Sequence, residues 1–99
     1  MMCTPVIKLT PVGEYLRLII LRRLVQGPAS VEELDEMTKK AVERLGVSYD
    51  WRIWPKLLLE GEVEFRGDVA VITPRGRWIL ELTSEEVAEY VRRWLGVEP

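Results

Sequence analysis

The stretch Glu62-Val63-Glu64-Phe65-Arg66-Gly67-Asp68-Val69-Ala70-Val71-Ile72-Thr73-Pro74 decides the fold. Glu62 to Phe65 alternates polar and apolar residues, the period of a half-buried strand. Val69 to Ile72 supplies the return strand. Between them, Gly67-Asp68 suits a two-residue turn with Gly first. Thr73-Pro74 then leaves the hairpin as a capping residue followed by a helix-initiating proline.

Working outward, the same Thr-Pro signal stands at Thr10-Pro11 and predicts a first helix. Val12, Leu16, Ile19, Ile20 and Leu24 recur in it at helical spacing, and Gln26-Gly27-Pro28 ends it. Ser30 and Glu33 form an S-x-x-E capping box that predicts a second helix. It carries acids early, cations late, and an apolar stripe of Leu34, Met37, Ala41 and Leu45 before Gly46. A third helix lies between Tyr49 and Glu60. Pro55 would break a helix begun at Asp50, so a kink or a 3₁₀ turn is expected ahead of it, with Trp54 or Pro55 opening the regular helix. Beyond the hairpin a helical stretch runs to about Leu82. Thr83 and Glu86 make a second capping box, which predicts a separate last helix ending at Leu95-Gly96.

The chain has 99 residues, enough for one domain with one core. No apolar run suggests a membrane span and the start of the chain shows no basic-then-apolar signal pattern, so a cytoplasmic protein is expected. Cys3 is the single cysteine, which excludes an internal disulfide and a Cys-ligated zinc site. There is no histidine, so a Ser-His or Cys-His nucleophile cannot be built. No carboxylate pair stands out, and the expectation is a protein that is not an enzyme and carries no metal or cofactor. Asn is absent and Gln26 is the sole Gln amid many charges, a bias of heat-adapted, archaeal-type proteins.

Helix, helix, helix, hairpin, helix is the order of a winged helix-turn-helix. Trp51-Arg52, Trp54, Leu57, Glu60-Gly61 and Val63 resemble the recognition-helix and wing pattern of PadR-like and MarR-like transcriptional regulators. Ile72-Thr73-Pro74-Arg75-Gly76 is similar to the step by which those families leave the wing, and Pro28 to Leu34 looks like their second-helix start. The likeness covers residues 10–82. It implies an α+β, mainly helical winged helix-turn-helix spanning residues 1–99: a three-helix core, a two-stranded wing, and a C-terminal helix at 83–95. Pro55, the apolar Leu58 and Leu59, and the long second helix depart from the pattern.

The resemblance implies double-stranded DNA as partner and a role in transcriptional regulation. If Trp51, Trp54 and Leu57 face inward, the outward set is Tyr49, Asp50, Arg52, Ile53 and Lys56. Arg52 would pair with guanine and Lys56 with phosphate. Lys39, Lys40 and Arg44 close the second helix, Arg66 lies at the wing tip, and Arg75 follows the wing. The chain is net −2, yet residues 39–58 hold five basic side chains against Glu43 and Asp50, which makes that segment +3.

Two other readings belong beside this one. The domain can be an assembly module that meets a protein partner through Leu58 and Leu59. Small domains use most of their apolar residues, so one of the two is expected to pack under the C-terminal helix. Tyr49, Trp51 and Trp54 could stack on single-stranded bases, although core packing accounts for the spacing of both indoles. Val87, Tyr90, Val91 and Trp94 exceed what a solvent-facing helix needs. A homodimer with these four at its interface is expected.

Overall fold

Thr10 begins the first helix, α1 (Pro11–Val25), by accepting a hydrogen bond from the Gly13 amide at 3.1 Å. The computed structural model describes residues 8–99, so Cys3 lies outside the described residues. Strand β1 (Ala29–Ser30) follows, then α2 (Val31–Leu45), capped by the Ser30 hydroxyl on the Glu33 amide. The Glu33 carboxylate does not complete the capping box; it pairs with Arg23 of α1 at 2.6 Å. Helix α3 (Ile53–Leu59), strands β2 (Val63–Arg66) and β3 (Val69–Ile72), and α4 (Pro74–Leu95) complete the chain. The result is an α+β fold of four helices and one small antiparallel sheet, mainly helical as expected.

The hairpin has the register its sequence implies: Val63 faces Ile72 and Arg66 faces Val69 around Gly67-Asp68. Gly67 has a φ of 66° and no non-glycine residue has a positive φ among the described residues, which fits a two-residue turn with Gly first. A third strand was not foreseen. Ala29 and Ser30 pair with Ala70 and Val69, giving the order β1-β3-β2. Two residues carry no strand period of their own. The unpaired edge of β3 recruits them, and Ser30 then caps α2 from within the sheet.

α1 is the axis of the molecule. Leu16, Arg17 and Leu18 are consecutive and all buried, as are Ile20, Leu21 and Leu24, so α1 is covered nearly all round. α4 lies along one side of it, and α2, α3 and β3 pack elsewhere on its surface. The main core joins Leu16, Ile20, Leu21 and Leu24 to Leu34 and Ala41 of α2, Ile53 and Leu57 of α3, and Val63 and Ala70 of the sheet.

Helix α4 corrects the expected break at Thr83. One helix runs from Pro74 to Leu95, so 83–95 is its second half rather than a separate element. The Thr83 hydroxyl donates to the Ile79 carbonyl one turn back at 2.7 Å, instead of capping. Between Arg77 and Leu95 no Gly or Pro interrupts the helix, so a local capping signature has nothing to terminate. The four residues expected at a dimer interface differ in exposure. Val91 is 0% exposed within the protein's own fold and Val87 is half-buried, whereas Tyr90 and Trp94 remain exposed. Among the described residues no helix is long and apolar enough to cross a membrane.

Candidate nucleic-acid interface

The segment between α2 and α3 is built around Asp50. Its Oδ2 accepts from the Thr10 amide at 3.0 Å and from the Thr10 hydroxyl at 2.8 Å, tying the cap of α1 to the lead-in of α3. The same carboxylate takes a two-point bridge from Arg52, Nε to Oδ1 at 2.9 Å and Nη2 to Oδ2 at 3.0 Å. Burial works against the charge of Asp50, but these donors outweigh it and hold the carboxyl well below the usual range. Asp50 is therefore buried, not outward. The residues after it form a turn, with the Ile53 amide reaching back to the Asp50 carbonyl, before the helix proper begins. Pro55 falls third in α3. No amide in the first turn has an intrahelical partner, so the missing donor costs nothing there.

That turn resets which residues face inward. Ile53 and Leu57, one helical turn apart, are both 0% exposed. Trp51 sits in the turn ahead of α3 and is 61% exposed, so the expectation that it faces the core is overturned. Trp54 is half-buried. Leu58 and Leu59 are 43% and 77% exposed, so neither packs under α4.

An aromatic brace crosses this region. The Tyr49 hydroxyl lies 2.8 Å from Thr38 Oγ1 on α2 and accepts from Trp54 Nε1 on α3 at 3.1 Å. Trp54 in turn lies 6.3 Å, centroid to centroid, from Phe65 on β2. α2, α3 and the hairpin are thereby held in a fixed relation. Tyr49 also rests against Trp51 at 4.4 Å, and the Lys39 ammonium stands 5.8 Å over the Trp51 ring.

The eight residues expected to meet DNA divide. Lys39 and Tyr49 contact the Trp51 ring, and Arg52, next in the chain, is bound to Asp50. Lys39 is also paired with Asp35, whose carboxylate raises its pKa by hydrogen bond and charge, and Asp50 does the same for Arg52. Lys40 and Arg44 lie exposed along α2, one turn apart, and neither forms an ion pair among the described residues. Arg66 is exposed at the end of β2, with Glu64 at 3.8 Å. Two candidates are drawn elsewhere. The Lys56 side chain is 13% exposed and binds Glu60 at 3.0 Å, so the outward position expected for it is corrected. Arg75 donates to the Glu60 carbonyl at 2.7 Å and buttresses the end of α3.

Beneath this surface lies an ionic cluster that the sequence reading missed. Arg17 bonds Glu62 at 2.6 Å with both side chains buried. Glu62 Oε2 and Arg17 Nε have no hydrogen-bond partner. Burial, and then the adjacent Glu60 carboxylate, push the Glu62 carboxyl up, while burial raises Glu14 against the lowering charges of Arg17 and Lys56. Burial also opposes the charge of Glu60, but the adjacent Glu62 carboxyl and the Lys56 ammonium outweigh it and hold it down. The alternation from Glu62 to Phe65 gives no sign of this burial, and no local signal marks the Glu62 partner 45 positions away. Among the described residues no group of three or more His, Cys, Asp or Glu is arranged to hold a metal ion.

Comparison of the chain with sequence profiles of protein families, with characterised proteins and with solved structures returned no match.

Proposed function

We propose that the chain is a winged-helix domain that binds double-stranded DNA and acts as a transcriptional regulator. In this reading α3 is the recognition element and the β2–β3 hairpin is the wing. The observation that carries it is the pair Lys40 and Arg44. They stand exposed and without ion-pair partners among the described residues, on the same helix as Lys39, although most other surface cations are matched to carboxylates. Such cations are the means by which a protein releases counterions from phosphates. Base reading by α3 is narrow. Its exposed side chains are Pro55, Leu58 and Leu59, which leaves Arg52 as the one group of this helix region able to address a base edge. Backbone contact therefore dominates affinity.

The test is fluorescence anisotropy of a labelled random duplex at ~50 and ~200 mM salt. Native protein binds at the lower salt. Lys40→Glu with Arg44→Glu binds more weakly and reduces the log–log salt slope by about 2. Absence of duplex binding at the lower salt overturns the reading.

A second reading, an assembly module, is favoured by the 77% exposure of Leu59 beside Leu58. It requires that Leu58→Gln with Leu59→Lys abolish association while the fold survives, and that duplex binding be absent. We also propose a two-fold dimer through the exposed Tyr90 and Trp94, which lie 6.5 Å apart on α4. A monomer mass by light scattering at micromolar concentration overturns it.

A further inference from the structure

Trp51 is a large aromatic turned outward in the candidate interface, with Lys39 over its ring. An indole is ordinarily among the most buried side chains, yet this one is 61% exposed. It is also held in place. Tyr49 rests against it at 4.4 Å, and Tyr49 is itself fixed by hydrogen bonds to Thr38 and Trp54. The next residue, Arg52, is locked by Asp50. Lys39, Lys40 and Arg44 follow along α2. An exposed, backed aromatic ring with the Lys39 ammonium 5.8 Å over it, beside a helix carrying further cations, is the physical composition of a base-stacking platform: the ring meets a base face, and the cations follow the phosphates.

Paired bases inside a duplex have both faces covered by their neighbours. Only an unpaired base offers a face to an indole. We propose that Trp51 takes an unpaired nucleobase, so that the preferred ligand is DNA in which a duplex meets a single-stranded extension. The proposal rests on the DNA-binding reading above. The cations of α2 follow the phosphates, Trp51 stacks on the first unpaired base, and Lys39 moves on its exposed stem from the ring to a phosphate. Selection is by strand state and not by base sequence, because every base has a π-face and α3 presents apolar side chains where hydrogen-bond readers would stand.

The test uses three labelled DNAs of equal phosphate number: a blunt duplex, a duplex with a short overhang, and the same overhang made abasic. Native protein binds the overhang DNA about tenfold or more tightly than the other two, the range that one stacked base supplies. Trp51→Ala removes that preference and leaves blunt-duplex affinity within about twofold, while Trp51→Phe restores much of it. Circular dichroism and thermal melting confirm that the variants fold. The proposal is overturned if native protein binds blunt and overhang DNA alike, if the abasic overhang binds as well as the complete one, or if Trp51→Ala weakens all three ligands equally. Failure of native protein to bind any of the three at low salt overturns the DNA reading itself, and this proposal with it.

Discussion

Trp54 Nε1 donates to the Tyr49 hydroxyl at 3.1 Å, and this hydroxyl, 2.8 Å from Thr38 Oγ1, ties α3 to α2. The Thr38 hydroxyl already faces the Leu34 carbonyl at 2.9 Å, so its single proton has a backbone acceptor. Tyr49 therefore donates to Thr38 and accepts from Trp54, and both functions of the phenol are used. Tyr49→Phe leaves the indole N–H without this acceptor and is expected to lower stability by about 1 kcal/mol, measured by urea unfolding. Trp51 loses its fixed backing at the same time, so its fluorescence anisotropy decay should show faster local motion.

Asp50 gives a prediction on the acid side. Its folded carboxyl titrates below the usual range, so the unfolded chain takes up the proton first. The stability it contributes is complete above the ordinary carboxylate value of about 4 and is lost as pH falls from there. Asp50→Asn places an amide donor against the donors of Thr10 and Arg52. The variant is expected to be about 2 kcal/mol less stable at neutral pH. Its stability should also fall less steeply than the native protein's in acid, by equilibrium unfolding across pH.

Glu62 predicts the opposite limb. Its folded carboxyl titrates above 4.5, so the unfolded chain releases the proton first and stability declines as pH rises through the folded value. Above that point a second negative charge is buried beside Glu60. Glu62→Gln keeps an acceptor for Arg17 and offers an amide donor towards Glu60. It should therefore lose less stability than native protein as pH rises above the ordinary carboxylate range, with the remaining slope due in part to Glu14. Arg17→Ala is the contrasting variant. It strips Glu62 of its cation and is expected to cost about 3–5 kcal/mol near neutral pH, the range for breaking one side of a buried pair.

Gly76 tests the junction between wing and α4. A Cβ there would overlap the Glu62 carbonyl oxygen and crowd Ile72. The carbonyl is backbone, already accepting from the Thr73 amide at 3.1 Å, and cannot swing aside. Gly76→Ala should lower stability by about 1–3 kcal/mol, visible as a drop in thermal midpoint, even though alanine is the better helix former.

The sequence by itself determined the parts whose free energy is local. Thr10, Ser30 and Thr73 each cap the helix they announce, because a hydroxyl three residues ahead of an amide finds it whatever the rest of the chain does. Gly46 and Gly61 end α2 and α3 in the left-handed region, and Gly67-Asp68 sets the hairpin register, for the same reason. Only the tertiary structure decided the rest. Thr83-Glu86 carries the same capping signature as Ser30-Glu33, yet α4 runs through it along α1. The two-residue β1 exists because β3 has an edge to fill. Arg17 and Glu62, 45 positions apart, are buried together because α1 is enclosed on nearly every side. Trp51 faces out and Ile53 faces in because the turn held by Asp50 delays α3, and a shift of a residue or two rotates every side chain of so short a helix. Inward and outward at that point are set by a carboxylate bonded to Thr10, 40 residues earlier in the chain, and no periodicity within the helix can record it.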